Sequence, residues 1–456
     1  MGLKRDLARV ISANLIKFLI GVVNGFLIPA FLSLDQYAYL KSFTLYVGYV
    51  GILHLGFNDG IYLKYGGETK NRIILPALKY EHDFLLRFQL AVTMFFVVLG
   101  FLRKDFIVIA FAMTILPTNL QVFFDFFYQA IGEFSVYSKI KVFHPLIQLA
   151  LNLTVIFIFK LNNYLPFVLS YLVSLYLSYF VYELLFRRNF KPTNIQPYKN
   201  PSEIRNLFKV GIFIMLGNLS TILIYSLDRW FVKLWLTVES FAYYSFAVSL
   251  MAIVNLVISS VAMTFYPYLS RGYTEKLLNK LKNYFIIVGS VSSISYFILS
   301  LIVTVFIPKY DQSLDIISIL FAGFPAITVI NALYLNLYKA NKMERRYLSV
   351  AFKILLLSFV LNTFALLIKH NSQAIAIATT ATLYIWFFYS SRDFKELQAT
   401  WKERMFLITY LLLFFASTMI KILALGVAVF GLGVFMLILV IYRTEFFELV
   451  NKFFKK

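Results

Sequence analysis

Residues Val10–Leu34 read VISANLIKFLIGVVNGFLIPAFLSL, directly after Lys4, Arg5 and Arg9. About 20 mostly apolar residues suffice to cross a bilayer as a helix. This run is too long for a signal-peptide core and has no small-residue cleavage site, so it is expected to stay as a first transmembrane helix. The pattern then repeats. Candidate spans lie near 11–31, 37–57, 84–102, 106–128, 141–159, 164–186, 207–227, 241–265, 284–307, 314–338, 348–368, 372–391, 405–421 and 423–442, fourteen in all. The chain is 60% hydrophobic and 14% charged, with mean hydropathy +0.77, whereas a soluble domain carries roughly 25% charged residues. Backbone groups in hydrocarbon need internal partners, and the ten-residue alternation of barrel strands is missing, so an all-α integral membrane protein is predicted.

Positive charge marks every second gap between these runs. Of the 43 Lys and Arg, 31 fall in 1–10, 58–83, 129–141, 187–209, 270–283, 339–346, 392–404 and 443–456. Six lie on the opposite side: Arg103, Lys104, Lys160, Lys309, Lys369 and Lys421. The positive-inside rule puts both termini in the cytoplasm and requires an even number of spans. The formal charge of +21 is thus mainly a topology signal. It also draws the inner face to anionic lipid, at about 1 kcal/mol per basic residue near the surface. Nucleic acid is not an expected partner, because the basic residues are spread over eight short segments.

Several chemistries are excluded. There is no cysteine, hence no disulfide framework, zinc thiolate site or thiol catalysis. Only four His occur, without metal spacing. The GxxxxGK(S/T) phosphate loop is absent, so no ATP hydrolysis is expected. Gaps on the outer side are too short for a catalytic loop, which argues against a membrane glycosyltransferase or polymerase. Neither an enzyme nor a cofactor or metal is expected.

The Pro-bearing segment 187–209 follows six spans and reads as a joint. The expected organisation is an N-terminal six-helix lobe (1–190), a cytoplasmic linker (191–206), a C-terminal six-helix lobe (207–391), and a closing helix pair with its tail (392–456). A faint repeat supports it. Asn14-Leu15-Ile16-Lys17 is echoed by Asn206-Leu207-Phe208-Lys209, and Ser33-Leu34-Asp35-Gln36 by Ser226-Leu227-Asp228-Arg229. Both lobes start inside, so the pseudo-two-fold repeat is parallel. Pro29, Pro117, Pro145 and Pro325 invite kinks.

Helical spacing gathers polar residues on single faces. Asn14, Lys17 and Asn24 share one, with Lys41 at the edge of the next span. Gln121 and Asp125 share another. His144 stands with Lys141, and Asn218 leads toward Asp228 and Arg229. Ser and Thr stripes are ordinary packing surfaces. A charge near mid-membrane costs about 2.5–3.5 kcal/mol or more, so function is its default reading. Lys17, Asp125, Asp228 and Arg229 are therefore the leading cavity candidates. Snorkelling of Lys17 and a structural ion pair at Asp228–Arg229 are the bland alternatives. Glu183 and Lys353 lie near span ends. His54 and His144 titrate near neutral pH and could couple protons. Asp125, being deeper, is the better proton or cation site.

Some segments resemble polysaccharide repeat-unit flippases. Leu53–Gly67 (LHLGFNDGIYLKYGG) is similar to their LGL-x-x-G segment. Tyr225–Ser245 (YSLDRWFVKLWLTVESFAYYS), Phe306–Tyr310 (FIPKY), Asn331–Asn341 (NALYLNLYKAN), Asn362 and Ala374–Thr380 (AIAIATT) follow in the family's order. The chain thus resembles the Wzx-type flippases of the multidrug/oligosaccharidyl-lipid/polysaccharide exporter superfamily. It departs from them at Asp35-Gln36-Tyr37-Ala38, where a glycine is expected. The resemblance implies two six-helix lobes and alternating access in a bacterial inner membrane. The implied substrate is undecaprenyl diphosphate carrying an oligosaccharide, for surface polysaccharide such as O-antigen. The substrate cavity would hold Lys17, Asn24, Lys41, Gln121, Asn218, Asp228, Arg229 and Lys353. Ion-coupling candidates for H+ or Na+ are Asp125, Glu183, His54 and His144. Other polysaccharide-assembly membrane proteins are the implied partners. A cation-coupled multidrug antiporter and a lipid II flippase are the alternatives.

Overall fold

A computed structural model describes residues 2–190, 198–262, 269 and 274–454. Residues 191–197 of the expected linker lie outside the described residues, as does the side chain of Asn14. Every regular element among the described residues is helical. Ten helices are long and apolar enough to cross a membrane, and eleven if one bent pair counts as a span. The all-α membrane fold is therefore as expected, while fourteen spans are not reached among the described residues.

The chain divides into two compact units, Met1–Leu223 and Ile224–Lys456. Unit 1 holds α1 (Gly2–Phe31), α2 (Leu34–Val47), α3 (Phe57–Lys64), α4 (Leu75–Arg103), α5 (Phe106–Ala130), α6 (Phe134–Leu153), α7 (Tyr164–Asn189) and most of α8 (Pro201–Ile224). α4 and α5 form a tight antiparallel hairpin, and α1–α6, α6–α7 and α5–α7 also pack together. The hairpin closes because Gly100 carries no side chain: a Cβ there would stand 2.7 Å from Ile109 Cγ1. Asp105 caps α5 by accepting from the Ile107 and Val108 N–H groups at 2.9 and 3.3 Å. A core of Phe123, Phe124, Phe127, Tyr182 and Phe186 binds α5 to α7.

The expected span 37–57 is interrupted. α2 stops at Val47, a 3-10 turn runs Val50–His54, and Leu55 and Gly56 take left-handed φ values of 52° and 86°. The chain restarts as α3, which lies against α8. A Cβ on Gly56 would stand 2.5 Å from the Gly211 carbonyl carbon, and one on Gly60 would stand 2.9 Å from Leu207 Cα. Two backbones can approach this closely only where side chains are missing.

Unit 2 runs through α9 (Leu227–Trp235), α10 (Val238–Ala262), α11 (Glu275–Ser292), α12 (Ser295–Phe306), α13 (Ser313–Phe321), α14 (Phe324–Val329), α15 (Leu335–Ala340), α16 (Glu344–Ile368), α17 (Ser372–Ser391), α18 (Trp401–Thr418), α19 (Leu423–Ile441) and α20 (Arg443–Phe454). The expected kink at Pro325 is present: Ser313–Phe321 and Phe324–Ala340 meet at 49°. Proline lacks the N–H that would continue the helix, so it opens α14 instead. Pro29, Pro117 and Pro145 sit inside α1, α5 and α6 without ending them.

The close approach of α3 to α8 is testable. Gly211→Ala forces overlap with Gly56 and is expected to cost about 1–3 kcal/mol. Gly21→Ala meets nothing within 4 Å and should stay within about 0.5 kcal/mol. Thermal melting of the detergent-solubilised protein measures both, and equal melting temperatures would contradict the packing.

Candidate functional site

Inside unit 1, four helices turn polar groups toward one another. α1 brings Lys17 and Asn24, α5 brings Gln121 and Asp125, and α6 brings Lys141, His144 and Asn152. α7 brings Tyr171 and Tyr182. Lys17 lies within electrostatic reach of Lys141, Asp125 and His144. Tyr182 donates its hydroxyl to Asp125, and Lys141 donates to the Tyr137 hydroxyl one turn back. His144 meets the Tyr171 ring edge-on at 5.1 Å, and its Nε2 has no hydrogen-bond partner among the described residues. Higher up the face, Asn152 donates to Asn24 Oδ1 at 3.1 Å and Gln121 donates to the Leu175 carbonyl at 2.7 Å.

The formal balance of this cluster is positive: Lys17 and Lys141 against Asp125. Neither lysine has a carboxylate at ion-pair distance among the described residues. Five other cations among the described residues have one, including Arg187 with Glu183 at 2.7 Å and Lys280 with Glu448 at 2.8 Å. Lys64 is paired with Glu81 and Glu203. Lys282 is paired with Glu403 at 2.7 Å and also donates to the Leu397 carbonyl. Arg346 grips Asp393 at 2.6 Å. An unpaired ammonium with buried stem and ordered neighbours is a ready anion site.

The remaining candidates fall elsewhere. Lys41 stands over the Tyr37 ring at 5.1 Å. Glu183 is engaged by His82 at 3.0 Å and by Arg187 at 2.7 Å. His54 Nδ1 accepts from the Gly56 N–H at 3.0 Å and Nε2 lies 3.8 Å from Asp59, so the ring helps hold the break before α3. Asn218 is exposed on α8. In unit 2, Asp228 accepts from the Arg229 N–H at 2.7 Å and from the Tyr244 hydroxyl at 2.8 Å, while Arg229 Nε is buried without a partner among the described residues. Lys353 is exposed and donates to the Tyr389 hydroxyl at 3.1 Å.

Two polar clusters were not anticipated. His82 joins Glu183 and Asp83 inside unit 1. Lys64, at the end of α3, bridges Glu81 of α4 and Glu203 of α8, with Tyr65 donating to Glu81 at 2.8 Å and Tyr198 to Glu203 at 2.6 Å. Burial works against the Lys64 ammonium, but Glu203 and Glu81 override it and hold its pKa above the ordinary lysine value. A lysine raised in this way adds stability that is full below about pH 10.4 and lost only as pH rises through the folded value. The α3–α4–α8 clasp is therefore in force at neutral pH. Among the described residues no acidic or histidine group is arranged to hold a metal ion.

No family model and no curated relative matches the chain. Solved structures do match. The lipid II flippase MurJ, in an inward closed conformation, superposes with TM-score 0.67 at 14% identity, over 95% of this chain and 98% of that one. A MATE transporter of Vibrio cholerae superposes with TM-score 0.54 at 12% identity, over 87% of this chain and 98% of that one. An inward-facing multidrug-resistance MATE transporter of the MOP superfamily gives TM-score 0.56 at 10% identity, over 85% of this chain and 95% of that one. The fold is that of the multidrug/oligosaccharidyl-lipid/polysaccharide exporters. Within this exporter fold the chain carries its own pattern of paired and unpaired charge.

That pattern has an energetic signature. Lys282→Met strands Glu403, which is 3% exposed, and breaking a buried pair from one side costs about 3–5 kcal/mol. The double variant Lys282→Met/Glu403→Leu removes both charges and should recover most of the loss. Melting of the three variants checks this; additive losses would show that the pair is not coupled.

Proposed function

We propose that this chain is a transporter that flips an undecaprenyl-diphosphate-linked oligosaccharide between membrane leaflets, from the cytoplasmic to the outer face, by alternating access. The observation that carries this reading is the pair Lys17 and Lys141 on adjoining helices of unit 1, both without an ion-pair carboxylate among the described residues. A diphosphate supplies the missing negative charge. Charge-assisted hydrogen bonds to phosphate oxygens are about twice as strong as neutral ones, and a low-dielectric site strengthens them further. A sugar headgroup cannot cross hydrocarbon unaided, because each unpaired polar group costs several kcal/mol. Asn24, Gln121 and the tyrosine hydroxyls of unit 1 give such a headgroup polar partners, while the polyprenyl tail stays in lipid.

Asp125 has the second role in this reading. Tyr182 donates to its carboxyl and the two lysines lie near it, so an arriving proton or sodium ion at Asp125 changes the net charge beside the anion site. That is a route for H+ or Na+ coupling. The localisation that goes with it is a bacterial plasma membrane with both termini cytoplasmic, as the basic gaps suggest. Other polysaccharide-assembly membrane proteins would supply and consume the cargo.

Lipid II flipping is a second reading. It is favoured by the likeness to MurJ over nearly the whole of both chains, and it uses the same diphosphate chemistry. The drug/cation antiporter reading differs sharply, because it makes Asp125 essential and the lysines dispensable.

Accumulation of undecaprenyl-linked glycan on the inner face of cells, with variants expressed in a deletion background, separates these readings. Lys17→Ala/Lys141→Ala should cut delivery to the outer leaflet by at least tenfold, and Lys17→Arg should retain most of it. Normal delivery by the double alanine variant, combined with loss in Asp125→Asn, would reject the anion site in favour of the antiporter.

A further inference from the structure

Unit 2 contains a cleft of about 1020 Å³ between α17 and α18. It is built by unit 2 alone and shares no residue with the Lys17 cluster. Its walls are mainly apolar, with Ala381 and Leu411 at the deep end, then Ile385 and Ile408, which are 41% and 53% exposed; Tyr384, Ser391 and Gln398 are the polar side chains of the lining besides the arginines. Its mouth is cationic, formed by Arg392 and Arg404. Both guanidinium groups are exposed, and among the described residues neither makes an ion pair or a side-chain hydrogen bond. The two carboxylates closest in sequence are committed elsewhere, Asp393 to Arg346 and Glu403 to Lys282.

The dimensions of the cleft identify its occupant. Ala381 and Arg392 are eleven residues apart on α17 and its cap, about 16 Å along a helix axis. Half of a bilayer's hydrocarbon core is about 15 Å. The apolar slot is therefore as deep as one leaflet, and its arginines stand at headgroup level. Trp401, 73% exposed at the start of α18, marks the same level, since tryptophan prefers the membrane–water boundary.

We propose that this cleft is a binding site for an anionic glycerophospholipid of the leaflet next to the basic loops. The phosphate sits between Arg392 and Arg404, and an acyl chain lies in the slot between Ile385 and Ile408. Arginine suits this role because its planar fork binds phosphate oxygens bidentately and is weakly hydrated. The lipid fills a gap that α17 and α18 leave open, so it acts as a structural wedge between them.

Native mass spectrometry of the full-length protein, titrated with phosphatidylglycerol, phosphatidylethanolamine or undecaprenyl phosphate, tests this. Phosphatidylglycerol should bind at least fivefold more tightly than phosphatidylethanolamine. Arg392→Ala/Arg404→Ala should abolish that preference, and Arg392→Lys/Arg404→Lys should keep part of it. Ala381→Phe, which fills the slot and leaves the arginines in place, should lower phosphatidylglycerol affinity without changing the charge. Equal binding of the two glycerophospholipids, or an unchanged preference in the double alanine variant, would overturn the proposal. Displacement of phosphatidylglycerol by a lower concentration of undecaprenyl phosphate would also overturn it, by making the cleft part of the cargo route. Lipid occupancy is read independently of transport, so the proposal stands or falls apart from the substrate reading.

Discussion

A lysine ammonium within the hydrocarbon layer is tolerated only if something answers its charge. Several cations near the ends of the helices are answered by carboxylates of the protein itself. Lys64 has Glu81 and Glu203, Lys282 has Glu403, and Arg346 has Asp393. Each of these pairs ties separate stretches of chain: α3 to α4 and α8, α11 to α18, and α16 to the segment after α17. Lys17 and Lys141 have no ion-pair carboxylate among the described residues. They share only Asp125 at a distance, and that carboxylate is already held by Tyr182. The contrast is between closed pairs that fasten helices and the open pair on which the proposed anion site rests.

The scaffold pairs are also directional. The clasp of Lys64 with Glu203 lies next to the stacked backbones of Gly56 and Gly211. Glycine contact supplies close approach without specificity, and the ion pairs supply register. α8, whose first turn carries Glu203, continues to the boundary of unit 2 at Ile224.

Much of the fold was legible because the bilayer imposes one strong rule. Long apolar runs must be helices, and α4, α5, α7, α16 and α17 lie where the hydropathy put them. The breaks were less legible. The span expected at 37–57 looked continuous because a 3-10 turn and two left-handed residues at Leu55 and Gly56 leave hydropathy unchanged. The start of α4 was hidden for the opposite reason. Its first turns carry Lys79, Glu81, His82, Asp83 and Arg87, which read as a loop, yet Glu81 is fully buried. That is why the Lys64–Glu81–Glu203 and His82–Glu183 clusters were missed. Their only signal was a carboxylate and a histidine at helical spacing before an apolar run. Lys17, Asp125 and His144 were legible because each interrupts an otherwise apolar helix, whereas Lys141, at the edge of one, acquired its meaning only from its neighbours. Glu183 and His54 were legible as titratable groups, but their partners place them in local structure.

The proposed anion site at Lys17 and Lys141 requires water to reach the interior of unit 1, and the chain is suited to measuring this because it has no cysteine. Asn24→Cys puts a single thiol on the Lys17 face of α1, and a membrane-impermeant cationic thiol reagent can then be applied from either side of oriented vesicles. Labelling from both sides, slowed by bound undecaprenyl diphosphate, is the expected result. A thiol at position 24 that reacts from neither side would contradict a hydrated, charge-lined passage through this bundle.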